Sequence, residues 1–132
     1  MPESFETGRL VTDELLNITV SEVTAGTTLC VVEGEIDLLT GAALRQKLKD
    51  TINAAPSHLV IDLSGVQFLA SIGLSILVEI LDMQEAAGHH LAVVAGENHA
   101  VVNALKTTRL DQVFDLHDGV LAAVEACSAG VR

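Results

Sequence analysis

Residues 58–83 read HLVIDLSGVQFLASIGLSILVEILDM, and this stretch decides the fold class. His58 to Leu63 is a short apolar run whose flanks predict a strand buried on both faces. Ser64-Gly65 is a turn signal, yet Val66 to Leu69 is apolar again. Ser71 then opens the strongest helical pattern of the chain, running to about Ala87 with Leu74, Leu77, Val78 and Leu81 on one face. Gly88 is the expected C′ residue that ends it.

Working outward, the same alternation recurs on both sides. Leu15 to Val23 reads as a strand, Ala25-Gly26 as a turn, and Thr28 to Ile36 as a second strand, making a hairpin. Asp37 to Thr40 leads into a helix with Thr40 as N-cap, Leu44, Leu48, Ile52 and Ala55 as its apolar stripe, and Pro56 as its stop. Downstream, Leu91 to Ala95 reads as a strand and Asn98 as the cap of a helix to Thr107 with Val101, Val102 and Leu105 inward. Val113 to Leu116 reads as a last strand, and Asp118 caps a helix over Gly119 to Ala126. The predicted order is β-β-α-β-α-β-α-β-α. It implies an α/β fold with a mixed sheet of about five strands, entered by an N-terminal hairpin and flanked by about four helices. One domain over residues 14–127 is expected, with a flexible extension over 1–13 and a tail over 128–132.

Composition narrows the function. With 132 residues and 49% hydrophobic side chains, the chain can bury a core without disulfides or metals. Seven Lys plus Arg against eighteen Asp plus Glu give a formal charge of −11, and there is no Trp or Tyr to stack on bases. Such a surface repels phosphate backbones, so nucleic acid is not an expected partner. Cys30, in an apolar run, reads as a buried hydrophobe; Cys127, near the end, reads as the more accessible thiol, and nothing demands a disulfide. No secretory signal is visible at Met1 to Leu10. The apolar stretch Val66 to Leu81 is interrupted by Gln67, Ser71, Ser75 and Glu79, so no membrane span is expected. A cytoplasmic protein follows as the expectation.

Enzyme chemistry finds no footing. Leu69-Ala70-Ser71-Ile72-Gly73 lacks the first glycine of a nucleophile elbow, and no His and Asp are recognisably set to activate Ser71. His58, His89, His90, His99 and His117 show no metal-ligand spacing. No Walker A or GxGxxG pattern occurs, so no cofactor is expected. The first strand ends in Ser21-Glu22-Val23, without the acidic pair of a response-regulator receiver. Ser71 admits two readings. One is a plain capping serine; the other uses the same position to expose its hydroxyl where a phosphate meets backbone N–H groups and the positive end of a helix. Phosphorylation there adds roughly −1.5 to −2 charge without any change of fold.

Gly34-Glu35-Ile36-Asp37, followed by Leu44-Arg45-Gln46-Lys47-Leu48, resembles the first signature of the STAS-domain anti-sigma factor antagonists. Val60-Ile61-Asp62-Leu63-Ser64-Gly65-Val66 and Phe68-Leu69-Ala70-Ser71-Ile72-Gly73-Leu74 resemble the second, and the predicted element order is similar to the STAS fold from about Leu15 to Ala126. The resemblance implies partner switching. An unphosphorylated antagonist binds an anti-sigma factor, usually a serine kinase with a histidine-kinase-like ATPase fold, and sigma factor is released. Phosphorylation by that kinase breaks the complex, and a PP2C-type phosphatase restores it.

The phosphorylated serine of the family pattern falls on Ser71, and the implied docking surface comprises Asp37, Leu38, Thr40, Gly41, Ser71, Ile72 and Ser75. Asp37 matches a family acidic position near the phosphorylation site, and equally reads as a cap before the first helix. The chain departs from the pattern at Ala70, where the family has Asp, at Ile72, where it has Ser or Thr, and at Ser75, where it has Gly. These departures motivate the alternative of a STAS scaffold that binds constitutively and is regulated by oxidation of Cys127 or by a small ligand.

Overall fold

Alternating apolar side chains give the central sheet two buried faces. The computed structural model describes residues 15–129. Strands β1 (Leu16–Thr24), β2 (Thr27–Ile36), β3 (His58–Leu69), β4 (Leu91–Val94) and β5 (Asp115–His117) lie in that spatial order. β1 and β2 form the antiparallel hairpin, and every later neighbour is parallel. Helices α1 (Leu38–Ala54), α2 (Ser71–Ala86) and α3 (His99–Thr107) connect successive strands, α4 (Val120–Ser128) follows β5, and a 3₁₀ turn spans Leu110–Gln112. Leu59, Ile61 and Leu63 face the larger core beneath Leu44 and Leu48 of α1, Leu77 and Ile80 of α2, and Val101 and Leu105 of α3. Val60, Ala92 and Val94 turn the other way, against Ala123 and Cys127 of α4. Each fully buried Leu or Ile contributes roughly 1.5–3 kcal/mol of transfer free energy.

The α/β class, the hairpin entry and the element order are as the sequence predicts; several local expectations give way to tertiary contacts. Ser64-Gly65 is no turn. It lies inside β3, where the pairing with β2 shifts register between Val31 and Glu33 and again between Gly34 and Glu35, leaving extra residues on β3. The Asp62 carboxylate still makes the local turn bond, accepting from the Ser64 N–H at 2.9 Å. Asn98 then holds the irregular stretch, its Nδ2 donating to the carbonyls of Leu63, Ser64 and Val66 at 3.3, 3.0 and 2.6 Å.

The cap of α1 is Asp37 rather than Thr40, which sits at the third helical position and closes a capping box. The cap of α2 is Ala70, so Ser71 occupies the first helical position. The last strand is Asp115–His117, because the 3₁₀ turn consumes the preceding residues and Phe114 is drawn into the core. Gly119, not Asp118, caps α4, and no side chain bonds there. Cys127 is buried at 1% exposure, because α4 lays it on the sheet. On α2, Ile76 and Ile80 join Leu74 and Leu77 in the core, while Val78 and Leu81 are only partly buried. Gly88 does end α2, with φ of 79° and its N–H on Glu85 O at 3.1 Å. The extension over 1–13 lies outside the described residues, and α4 runs through Ser128, into the expected tail.

Two devices fix α2, one against α1 and one against the sheet. Arg45 grips Glu79 with two bonds, Nε–Oε1 at 2.7 Å and Nη2–Oε2 at 2.8 Å, and Lys49 Nζ adds a third contact at 3.0 Å. These bonds hold the Glu79 carboxyl down at about 2, far below its usual range. Gly73 seats α2 on the sheet, since a Cβ there would meet Leu69 Cδ1 at 2.5 Å and Ile36 Cγ2 at 2.8 Å.

Three outcomes are expected. Gly73→Ala gains about 1 kcal/mol of helix propensity but overpacks the seat by about 1–3 kcal/mol, so urea unfolding is expected to show a net loss of stability. Glu79 contributes stability that is present above its unfolded-state pKa and lost as pH falls through about 2. Glu79→Gln therefore flattens the acid limb of the stability–pH curve, modestly because the site is solvated. Burial pushes the Cys30 thiol to about 12 and the Cys127 thiol to about 11. A thiol reagent at pH 8 is expected to label neither in the native protein and both in urea.

Candidate functional site

Strands β2 and β3 are parallel and end side by side, with Ile36 paired to Leu69. The Ala70 N–H donates to the Ile36 carbonyl at 2.9 Å, one residue past that pair. Both chains turn into helices at this point, so the first turns of α1 and α2 emerge together at the carboxyl edge of the sheet, where α/β folds commonly bind. Gly41 lets the two helices close up: a Cβ there would lie 3.2 Å from Ile72 Cγ1 and 3.5 Å from Ile76 Cδ1.

The two helix starts differ chemically. Asp37 Oδ1 accepts from the N–H groups of Leu39 at 2.9 Å and Thr40 at 3.0 Å. Thr40 Oγ1 donates to Glu35 O at 2.8 Å and accepts from the Asp37 N–H at 3.0 Å. A carboxylate thus already neutralises the start of α1. At α2 the cap is an alanine, no side chain bonds the terminal N–H groups, and the first turn carries no acid. Ser71 is the first residue of this uncapped helix, and it is exposed.

Of the residues that the sequence singles out, Leu38, Ser71 and Ser75 are exposed, and Asp37 and Ile72 are half-buried. Thr40 and Gly41 are buried and shape the surface from beneath. Ile72 faces α1. Ser71 and Ser75, one turn apart, face the opposite way, onto a cleft of about 390 Å³ shared with Leu74, Val78, Thr108 and Leu110. The sequence reading misses Leu39, Phe68, Thr108 and Leu110. Leu38 and Leu39 are 81% and 77% exposed, and Phe68, at the end of β3, is 51% exposed. Strict alternation could have found Phe68, since it lies opposite in sense to buried Leu69; Thr108 and Leu110 reach the cleft only through the fold. Among the described residues, no cluster of His, Cys, Asp and Glu could hold a metal ion.

Comparison with known proteins places this architecture. The STAS domain family profile matches residues 19–123. The anti-sigma-F factor antagonist RsfB of Mycobacterium tuberculosis is 48% identical over 52 residues, which span 39% of this chain and 43% of that relative. The match therefore spans less than half the length of the curated relative. The crystal structure of an anti-sigma factor antagonist from Mycobacterium paratuberculosis superposes with a TM-score of 0.78 at 33% identity, covering 86% of this chain and 94% of that one. SpoIIAA of Bacillus, in its unphosphorylated form, shares the fold with a TM-score of 0.71 at 16% identity, over 87% of this chain and 98% of that one. A profile match across most of the chain and a one-third-identical structure over nearly its whole length agree with the β-β-α-β-α-β-α-β-α order and the paired helix starts: the chain belongs to the STAS domain family.

Proposed function

We propose that this chain is an anti-sigma factor antagonist. It binds an anti-sigma factor through the first turns of α1 and α2, and phosphorylation of Ser71 releases it. The observation that carries this reading is the exposed serine at the first position of a helix whose N-terminus no side chain caps. A phosphate on Ser71 would find unpaired backbone donors and the positive end of α2 beside it. It would place roughly −1.5 to −2 charge at the cleft that Ser71 shares with Ser75. Ala70 contributes no carboxylate to repel that phosphate. The names of the Mycobacterium relatives support the antagonist role.

In this reading the partner is a serine kinase with a histidine-kinase-like ATPase fold. The kinase transfers the γ-phosphoryl group of ATP to Ser71 Oγ; ADP leaves and the hydroxyl proton is released. A PP2C-type phosphatase hydrolyses the ester, returning the serine and inorganic phosphate. The chain is then a ligand and a substrate with no catalysis of its own, acting in the cytoplasm; no described helix is long and apolar enough to cross a membrane. The buried and strongly protonated Cys127 lends no support to regulation by oxidation.

The test is a titration of wild type, Ser71→Ala and Ser71→Glu against the purified kinase-like anti-sigma factor of the same organism. Wild type and Ser71→Ala are expected to bind alike, and Ser71→Glu at least about tenfold more weakly, equivalent to about 1.4 kcal/mol. Leu38→Asp is expected to lose a similar factor, because it sets a charge in the apolar part of the surface. Equal binding by wild type and Ser71→Glu would turn the reading to a constitutive binder. The expected phosphopeptide is the one containing Ser71, detected by mass spectrometry after incubation with the kinase and ATP.

A further inference from the structure

Three of the five histidines meet at the amino edge of the parallel strands, the end of β3 remote from Ser71. His58 opens β3, and His89 and His90 lead into β4. The Leu59 N–H donates to the His90 carbonyl at 2.9 Å, and the His90 N–H donates in turn to Nδ1 of the His58 ring at 2.9 Å. Gln84, fully buried in the last turn of α2, ties the same joint together. Its Nε2 donates to the carbonyls of Ser57 at 2.8 Å and His90 at 3.1 Å. One imidazole lone pair therefore holds a backbone donor where β3, β4 and α2 meet.

That bond fixes the chemistry of the ring. Nδ1 accepts, so neutral His58 carries its proton on Nε2. A second proton goes to Nδ1, and an imidazolium has two donors and no acceptor. Protonation thus sets one N–H against another, and the His90 N–H loses its partner. Among the described residues around the ring, no carboxylate faces the new charge. The ring of His89 stands edge-on to it, 5.6 Å between centroids, and Nδ1 of His89 is buried without a hydrogen-bond partner. The β1–β2 turn and the start of β2 present Gly26 and Thr27, the loop after α1 presents Pro56 and Ser57, and α4 presents Cys127 and Ser128. Burial holds the Cys127 thiol up at about 11, so it stays neutral. Asp115 is already engaged, with Oδ2 2.6 Å from His90 Nε2 and Oδ1 2.9 Å from His117 Nε2. Burial first, and then His89 and His90, push His58 below its ordinary 6.5.

We propose that the His58–His90 bond is an acid-sensitive latch, which protonation of His58 opens, loosening the joint of β3, β4 and the end of α2. The latch stands apart from the antagonist function. His58 binds its proton less readily folded than unfolded, so its contribution to stability is complete above pH 6.5 and is lost as pH falls from there through the lower folded value. His90 and His117 keep Asp115 as a partner when they gain a proton, so the cost of acid at this bond falls on His58.

The test follows the full chain, labelled with ¹⁵N, by NMR from about pH 7.5 to about pH 5, with urea unfolding at both ends of that range. His58 is expected as the Nε2–H tautomer at the upper end and to titrate below 6.5. Protection of the His90 amide against hydrogen exchange is expected to fall at least about tenfold as His58 titrates, the equivalent of one pKa unit. His58→Asn sets an amide oxygen where Nδ1 stands and cannot take up the proton. It is expected to lose less stability than wild type on acidification. His58→Phe has no acceptor, and is expected to be less stable than wild type at the upper pH with the same reduced dependence on acid. The wild-type titration needs neither variant to fold. A neutral His58 with its proton on Nδ1, or a His90 amide whose protection ignores the titration of His58, overturns the latch. So does a His58→Asn protein that loses as much stability with acid as wild type.

Discussion

The hydrogen bond from the Ala70 N–H to the Ile36 carbonyl, 2.9 Å long, is the constraint on which the site depends. It carries the β2–β3 pairing one residue beyond the last paired strand positions, so two chain segments leave the sheet together. Each then becomes a helix at once. The first turns of α1 and α2 can lie side by side because Gly41 leaves room for α2, and Gly73 lets α2 sit down on the strand ends, each in space that even a methyl group would fill. Close packing converts these two missing side chains into a fixed geometry, since neither neighbour can collapse further. The Arg45–Glu79–Lys49 bridge continues the same contact further along the helices and is exposed, so it tunes the pairing more than it creates it.

Two adjacent helix starts with opposite chemistry follow from this arrangement. α1 carries its own anion, Asp37, bonded to two terminal N–H groups. α2 carries none, and an exposed serine sits at its first position. A single charge added at Ser71 therefore acts on a surface where the neighbouring helix is already neutralised and the serine's own helix is not. The proposed switch is an electrostatic event at a rigid edge. It draws on no conformational change, and the buried Thr40 and Gly41 serve it by holding that edge in shape.

Most of the fold is legible in the sequence because it rests on periodicity. The run HLVIDL and the spacing of Leu44 and Leu48 specify a buried strand and an amphipathic helix through local pattern alone. Asn98 and Gly88 are legible as caps for the same reason: their conformational preferences act within a few residues. Ser64-Gly65 misleads, since the local turn chemistry is present in the Asp62–Ser64 bond but pairing with β2 absorbs the extra residues as register shifts. Thr40 misleads in another way. Asp37 and Thr40 can each cap a helix, and the choice falls to whichever lies where β2 ends.

Sequence by itself determines the α/β class, the order of elements, the resemblance at Gly34–Asp37 and Phe68–Leu74, and the prominence of Ser71. Each of these is encoded within a few residues by pattern, charge or turn preference. Tertiary structure alone decides that Ser71 and Ile72, adjacent in the chain, face opposite sides, one onto the α3 cleft and the other onto α1. It alone brings Thr108 and Leu110, more than thirty residues away in sequence, to the wall opposite Ser71. It also buries Cys127, which a position near the end of the chain suggested was accessible. The reason is common to all three: which face of a helix meets solvent is set by what packs against it, and those packing partners come from distant parts of the chain.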